Sequence, residues 1–207
     1  MNTIRPDTTG KKSRTSLKGK AKRQKILDIA MEMFARGGYS GTAIAAVAEK
    51  ADLTLPGLLH YFPNKTALLL AVLAEQDGAR FEAFAPGMKT WRSALETTRA
   101  VVKQNVARAK LVQAFAILNA ESLTDNYPAV SFFRNRWALA QTLVTPLFQA
   151  GIDAGEIRTS VVPKLIVTEI IAFLDGLQVL WLRDPEHIDM VASFDDYVHR
   201  LTRSIEV

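Results

Sequence analysis

No cysteine occurs in the 207 residues, so disulfides, zinc–thiolate sites and cysteine nucleophiles are excluded. A cysteine-free chain suits a reducing compartment, and a cytoplasmic location is expected. No apolar run reaches the ~18 residues that read as a membrane span, so no membrane partner is expected. The N-terminus is basic, but no apolar segment follows it, which argues against a secretory signal. Histidine is scarce. His60, His187 and His199 fall on different predicted helices, without the H-E-x-x-H spacing of a zinc site. There is no phosphate-binding P-loop and no dinucleotide fingerprint. Asp195 and Asp196 are adjacent, so they point to different faces of a helix and read as solvated charge. Neither an enzyme nor a bound cofactor or metal is expected. Period-two alternation is missing as well, so no strand is predicted.

What is present is apolar and helical. Apolar residues make up 48% of the chain and charged residues 23%, enough for one or two soluble domains with proper cores. The net charge of +5 is unevenly placed. Residues 1–25 hold nine Lys/Arg and one acid, Asp7, a balance of +8 that leaves −3 for the rest of the chain. A basic segment on a mildly acidic body points to a polyanion partner at one end. Residues 1–19 read as a basic disordered arm.

Helical spacing begins near Lys20. Ile26, Ala30, Met33 and Phe34 share one face, and Gly37-Gly38 ends the helix. Thr42 is the expected N-cap of a second helix carrying Ile44, Val47 and Ala48 inward. Asp52-Leu53 makes a turn. Thr54 caps a third helix with Pro56 in its first turn. Leu58 and Phe62 face inward, and Pro63 ends helical geometry at Phe62. Asn64 caps a fourth helix. From Pro86 onward helices are predicted over 91–107, 110–123, 129–154, 163–183 and 187–205, with Pro146 expected to kink or divide the third of these.

Two short helices joined by a tight turn, the second rich in contact residues, form a helix-turn-helix. B-DNA's major groove admits one helix, held by a small core with its outer face on bases and phosphates. The expected DNA-binding residues are Lys20, Lys22, Arg23, Thr42, Thr54, Leu55, Pro56, Gly57, His60, Tyr61 and Lys65. Thr42, Tyr61 and Lys65 suit phosphates. Thr54, Leu55 and Gly57 are placed for bases, Leu55 against a thymine methyl. A non-specific architectural DNA binder is the alternative, but it calls for a basic body, and this body is acidic.

The stretches KRQKILDIAMEMFARGGYSGTAIAAVAEKADLT and PGLLHYFPNKTALL resemble the DNA-binding domain of TetR/AcrR-family transcriptional regulators. The family's third-helix pattern is similar to GVSxGTLYHYFxSKEAL. Here Thr54 stands at the Ser position, and His60-Tyr61-Phe62 and Lys65 match directly. Asp52 replaces the usual glycine and Leu59 the usual tyrosine, so base preference is not to be copied from relatives. The resemblance implies an all-α chain of about nine helices, divided into a head at 20–66 and an effector-binding and dimerisation body at 67–207. It implies a repressor that binds a palindromic double-stranded operator as a homodimer and answers to a small molecule. Expected effector residues are Trp91, Phe115, Asn119, Phe133, Arg136, Trp137, Phe173 and Trp181, with Arg136 a possible partner for a ligand carboxylate. Phe81 and Phe84 are further aromatic candidates. The last two helices are expected to dimerise through Leu174, Leu177, Trp181, Val191, Phe194, Val198 and Leu201.

Overall fold

A computed structural model describes the backbone of residues 9–207 and the side chains of residues 17–77 and 85–207. Phe81 and Phe84 lie outside the described side chains. The described elements are α1 (Thr9–Gly37), α2 (Ile44–Lys50), α3 (Leu55–Leu59), α4 (Lys65–Phe84), a 3₁₀ turn (Ala85–Gly87), α5 (Trp91–Val106), α6 (Ala109–Glu121), α7 (Val130–Asp153), α8 (Pro163–Arg183) and α9 (Met190–Ile205). The fold is all-α, as expected; an isolated bridge joins Ile157 and Glu206. The chain divides into two compact units between Val72 and Leu73.

The first unit is a helix-turn-helix head. Ile26, Ala30 and Phe34 of α1, Val47 and Ala48 of α2, Leu58 of α3, and Phe62 are buried. Leu68, Leu69 and Val72 of α4 are buried too, which carries the head six residues beyond the expected boundary at 66. α1 begins at Thr9 rather than near Lys20, so residues 9–19, expected to lie in the unstructured arm, have helical backbone. Lys11, Lys12, Arg14, Leu17 and Lys18 are good helix formers that extend the helix toward the N-terminus against the cost of Gly10 and Gly19. Residues 1–8 of that arm are outside the described residues.

The second unit packs α5, α7, α8 and α9 around Trp91, Phe148, Phe194 and Trp181. Thr90 and Ser93 form a capping box at the start of α5, satisfying two of the helix's orphan donors. Trp91 donates from Nε1 to Glu156 at 2.9 Å, and Arg92 bridges Glu156 and Glu206. Arg99 on α5 holds Asp195 on α9 through two nitrogens. α7 runs through Pro146 as one helix; it is not divided there.

The packing places the expected dimer residues as follows. Leu177, Trp181, Phe194 and Leu201 are buried in the unit's own core, and Leu174, Val191 and Val198 pack against it. The sequence shows how apolar α8 and α9 are, but not that their largest side chains finish this core. On α8 the large apolar residues left outward are Leu165, 63% exposed, Leu180, 52% exposed, and Val179, 37% exposed. Ala172 and Gly176 share that exposed face. Among the described residues α8 is the helix long and apolar enough to cross a bilayer. Its buried residues Val167, Ile170, Leu177 and Trp181 make it a core helix of this unit.

Candidate nucleic-acid interface and ligand cavity

α3 is short because its boundaries are chemically enforced. Thr54 lies in extended geometry and its hydroxyl accepts from the Gly57 N–H at 3.2 Å, with Pro56 in the first turn. Both features favour initiation at Leu55. A Cβ at position 57 would sit 3.2 Å from the Thr54 hydroxyl and 3.6 Å from Leu53, so glycine keeps the cap unstrained. At the far end Phe62 is 3% exposed and pins the exit inward. Asn64 then caps α4, its side-chain oxygen accepting from the Ala67 N–H at 2.8 Å. The expectations for Thr54, Phe62 and Asn64 are all realised.

Anchored at both ends, α3 turns a small face to solvent. Thr54, Leu55, Pro56 and His60 are exposed, while Gly57, Leu59 and Tyr61 are half-buried. The His60 and Tyr61 rings meet edge to face, 5.7 Å apart. Lys20 and Lys22 of α1 are exposed. Arg23 lies over the Phe62 ring at 5.3 Å, a cation–π contact that ties α1 to the end of the reading segment.

Thr42 is a correction. It is 3% exposed, and its hydroxyl donates to Gly38 O at 2.8 Å and toward Met33 O at 3.2 Å. α2 starts at Ile44 behind Ala43, which offers no side-chain cap. Thr42 therefore closes the turn after α1 from inside, and its hydroxyl is withdrawn from any phosphate. Lys65 is already engaged as well: its ammonium lies 4.3 Å from the Tyr39 ring centroid and 3.5 Å from Ser40 O. Tyr39 in turn meets Thr66 at 3.0 Å. Tyr39 and Thr66 were missed from sequence, since neither belongs to a contact motif; together they lock the start of α4 to the turn after α1.

Lys25 and Asp52 form an exposed pair at 2.6 Å. Hydrogen bonding to Lys25, reinforced by its charge, holds the Asp52 carboxyl below the ordinary range. This pair neutralises one of the nine basic residues of the N-terminal segment.

In the second unit a cavity of about 340 Å³ is walled by α5, α7 and α8, with Asp77 of α4 and Asn119 of α6. That volume falls in the range of small-molecule sites. Asn119, Phe133, Arg136 and Trp137, four of the expected effector residues, line it. A neighbouring cavity of about 250 Å³ includes Phe115. Three effector candidates line neither. Trp91 is 1% exposed in the core, Trp181 is buried there too, and Phe173 stacks on Tyr197 at 4.0 Å. An aromatic on an amphipathic helix fills the core by default, and these three do so.

Residues 26–72 match the family model described as bacterial regulatory proteins, tetR family. The chain is 43% identical over 68 residues to the HTH-type transcriptional regulator RutR of Escherichia coli K12, a stretch covering 33% of this chain and 31% of that one. The match thus spans about a third of the curated relative's length. A fatty acid metabolism regulator protein of Bacillus subtilis is 22% identical over 185 residues, covering 89% of this chain and 95% of its own. A TetR transcriptional regulator from Chloroflexus aurantiacus superposes with a TM-score of 0.77 at 25% identity, over 92% of this chain and 98% of that one. The head of the chain is therefore similar to tetR-family regulatory proteins, and the chain as a whole shares the fold of a TetR regulator.

Within the TetR pattern, two departures now have physical readings. Asp52 occupies the usual glycine position with φ of 57°, a left-handed conformation that glycine adopts freely and aspartate tolerates better than most residues. Its pairing with Lys25 adds a contact that glycine lacks. Leu59, at the usual tyrosine position, is half-buried and offers no hydroxyl to DNA.

Proposed function

We propose that this protein is a sequence-specific DNA-binding transcriptional regulator, a ligand-responsive repressor acting in the cytoplasm as a homodimer on a palindromic operator. One observation carries the reading: α3 is capped by Thr54 and anchored by Leu58 and Phe62, so that Thr54, Leu55, Pro56, Gly57 and His60 face outward together. A short helix fixed at both ends can enter the major groove with little ordering cost. Leu55 contacts a thymine methyl, and Thr54, Gly57 and His60 read neighbouring groups. The Tyr61 hydroxyl, Lys20, Lys22 and the start of α4 meet phosphates, which fix register without reading sequence. Arg23 serves this surface by holding Phe62.

Two such heads are needed for a two-fold operator, with half-sites about 34–36 Å apart. The outward ridge of α8, Leu165, Ala172, Gly176 and Leu180, supports a subunit contact there in place of the residues that fill the core. The cavity of the second unit is the effector site. α4 supplies Asp77 to that cavity and Leu68, Leu69 and Val72 to the head's core, so it is the element through which occupancy biases DNA binding. The coupling equals the effector's differential affinity for the two states.

Selection of binding sites from random duplexes by the purified protein tests the reading. Enrichment of one two-fold-symmetric sequence is expected. Recovery of no consensus after repeated rounds would favour an architectural binder.

A further inference from the structure

Arg136, whose position beside Trp137 suggested a partner for a ligand carboxylate, already holds a carboxylate of its own chain. Its Nε donates to Asp77 at 2.9 Å, and its guanidinium carbon lies 5.8 Å from the Phe115 ring centroid. A second carboxylate, Asp175 of α8, also lines the cavity. Among the described residues it accepts no hydrogen bond. The charged residues described in the lining are therefore two aspartates and one arginine, a balance of one negative charge.

Their position sharpens the point. Asn119, Phe133, Arg136, Asp175 and Gln178 line both cavities, so the polar groups sit where the two chambers meet. The larger chamber beyond them is hydrocarbon: Leu95, Val144, Val167 and Ile170 are among its walls. Asp175 is exposed, but it faces these chambers. Desolvation there lifts its carboxyl above the ordinary range, with the Arg136 charge pulling the other way. A partly desolvated carboxylate facing a cavity, with no hydrogen-bond donor among the described residues, gains from a cation or donor that meets it. An anionic head entering the same junction meets two carboxylates and must share Arg136 with Asp77.

We propose that the chamber takes an amphipathic amine, its hydrocarbon body among the aliphatic walls and its ammonium on Asp175. An ammonium has three donors; the side-chain oxygens of Asn119 and Gln178 accept the other two. This rests on the reading of the chamber as the effector site and names the class of molecule it admits.

The test is calorimetric titration of the full-length protein with decylamine, decanol and decanoate, each below its micellar concentration, with fluorescence of the cavity-lining Trp137 followed in parallel. Decylamine is expected to bind at least tenfold more tightly than decanol, and decanoate more weakly than either. Asp175→Asn, close to isosteric, should remove the amine's advantage and leave decanol affinity unchanged. Decanoate binding as tightly as decylamine, or an amine advantage that survives Asp175→Asn, overturns the inference while leaving the chamber a ligand site. Binding by none of the three, with fluorescence unmoved, rejects the chamber as a ligand site and the inference with it.

Discussion

The two units of the chain differ in how their functional parts are positioned. In the head, the caps that set the ends of its short helices are local in sequence, while Lys25–Asp52 and Tyr39–Thr66 tie those helices together over longer separations. Thr54 caps Gly57 three residues on, Asn64 caps Ala67, and Thr42 reaches back four residues to Gly38. In the body the polar contacts are long: Arg92 reaches Glu156 and Glu206, Arg99 reaches Asp195, and Arg136 reaches Asp77. The head's core closes around Ile26, Phe34 and Leu58. The body is filled around Trp91, Phe148 and Phe194 but hollow beside Arg136 and Asp175. A dense core with a persistent void beside it is what a protein needs to stay folded and still admit a ligand. The head must instead present one fixed surface, which local capping and the contacts of Arg23 with Phe62 and Tyr39 with Thr66 provide.

The sharpest break in this comparison is at the core of the body. Phe194→Ala removes a fully buried ring and should cost about 3–5 kcal/mol of stability. Thermal melts should fall by the same amount at low and high protein concentration. A loss that is recovered by raising concentration would return Phe194 to a subunit interface. Next in size is Leu180→Glu. Leu180 is outward on α8, so the charge should dissociate the dimer, read as a halved mass in sedimentation, while the helical signal of the subunit persists. A dimer unchanged in mass would move the interface elsewhere.

The head separates a contact residue from a packing residue. Tyr61→Ala should weaken operator binding by about tenfold, on the order of 1.4 kcal/mol, with the melting temperature little changed. Thr42→Val should do the reverse: a stability loss of about 0.5–1.5 kcal/mol from the severed backbone bonds, with the salt slope of binding intact. A flattened slope in Thr42→Val would restore Thr42 to the phosphates.

Much of the head was legible in the sequence because its signals are local. Thr54, Pro56, the Phe62-Pro63 stop and Asn64 each act within four residues of where they stand. Thr42 was misread since Ala43, not Thr42, directly precedes α2, and a buried threonine that bonds back to carbonyls looks the same in sequence as a cap. In the body the helices themselves were legible from periodicity, but the use of their faces was not. Trp181 and Phe194 filled the core because packing from α5 and α7, distant in sequence, encloses them. Arg136 looked available until Asp77, fifty-nine residues earlier, came into contact with it. The start of α1 was placed late because charge suggested an arm where helix propensity prevails.

The central claim is that α3 reads a defined sequence and not merely a polyanion. The most direct measurement is competition at physiological salt: purified protein on a selected site, challenged with a large excess of random duplex. The account predicts that the selected site stays bound and that Tyr61→Ala lowers affinity for it. Displacement by random duplex at equal concentration would contradict it.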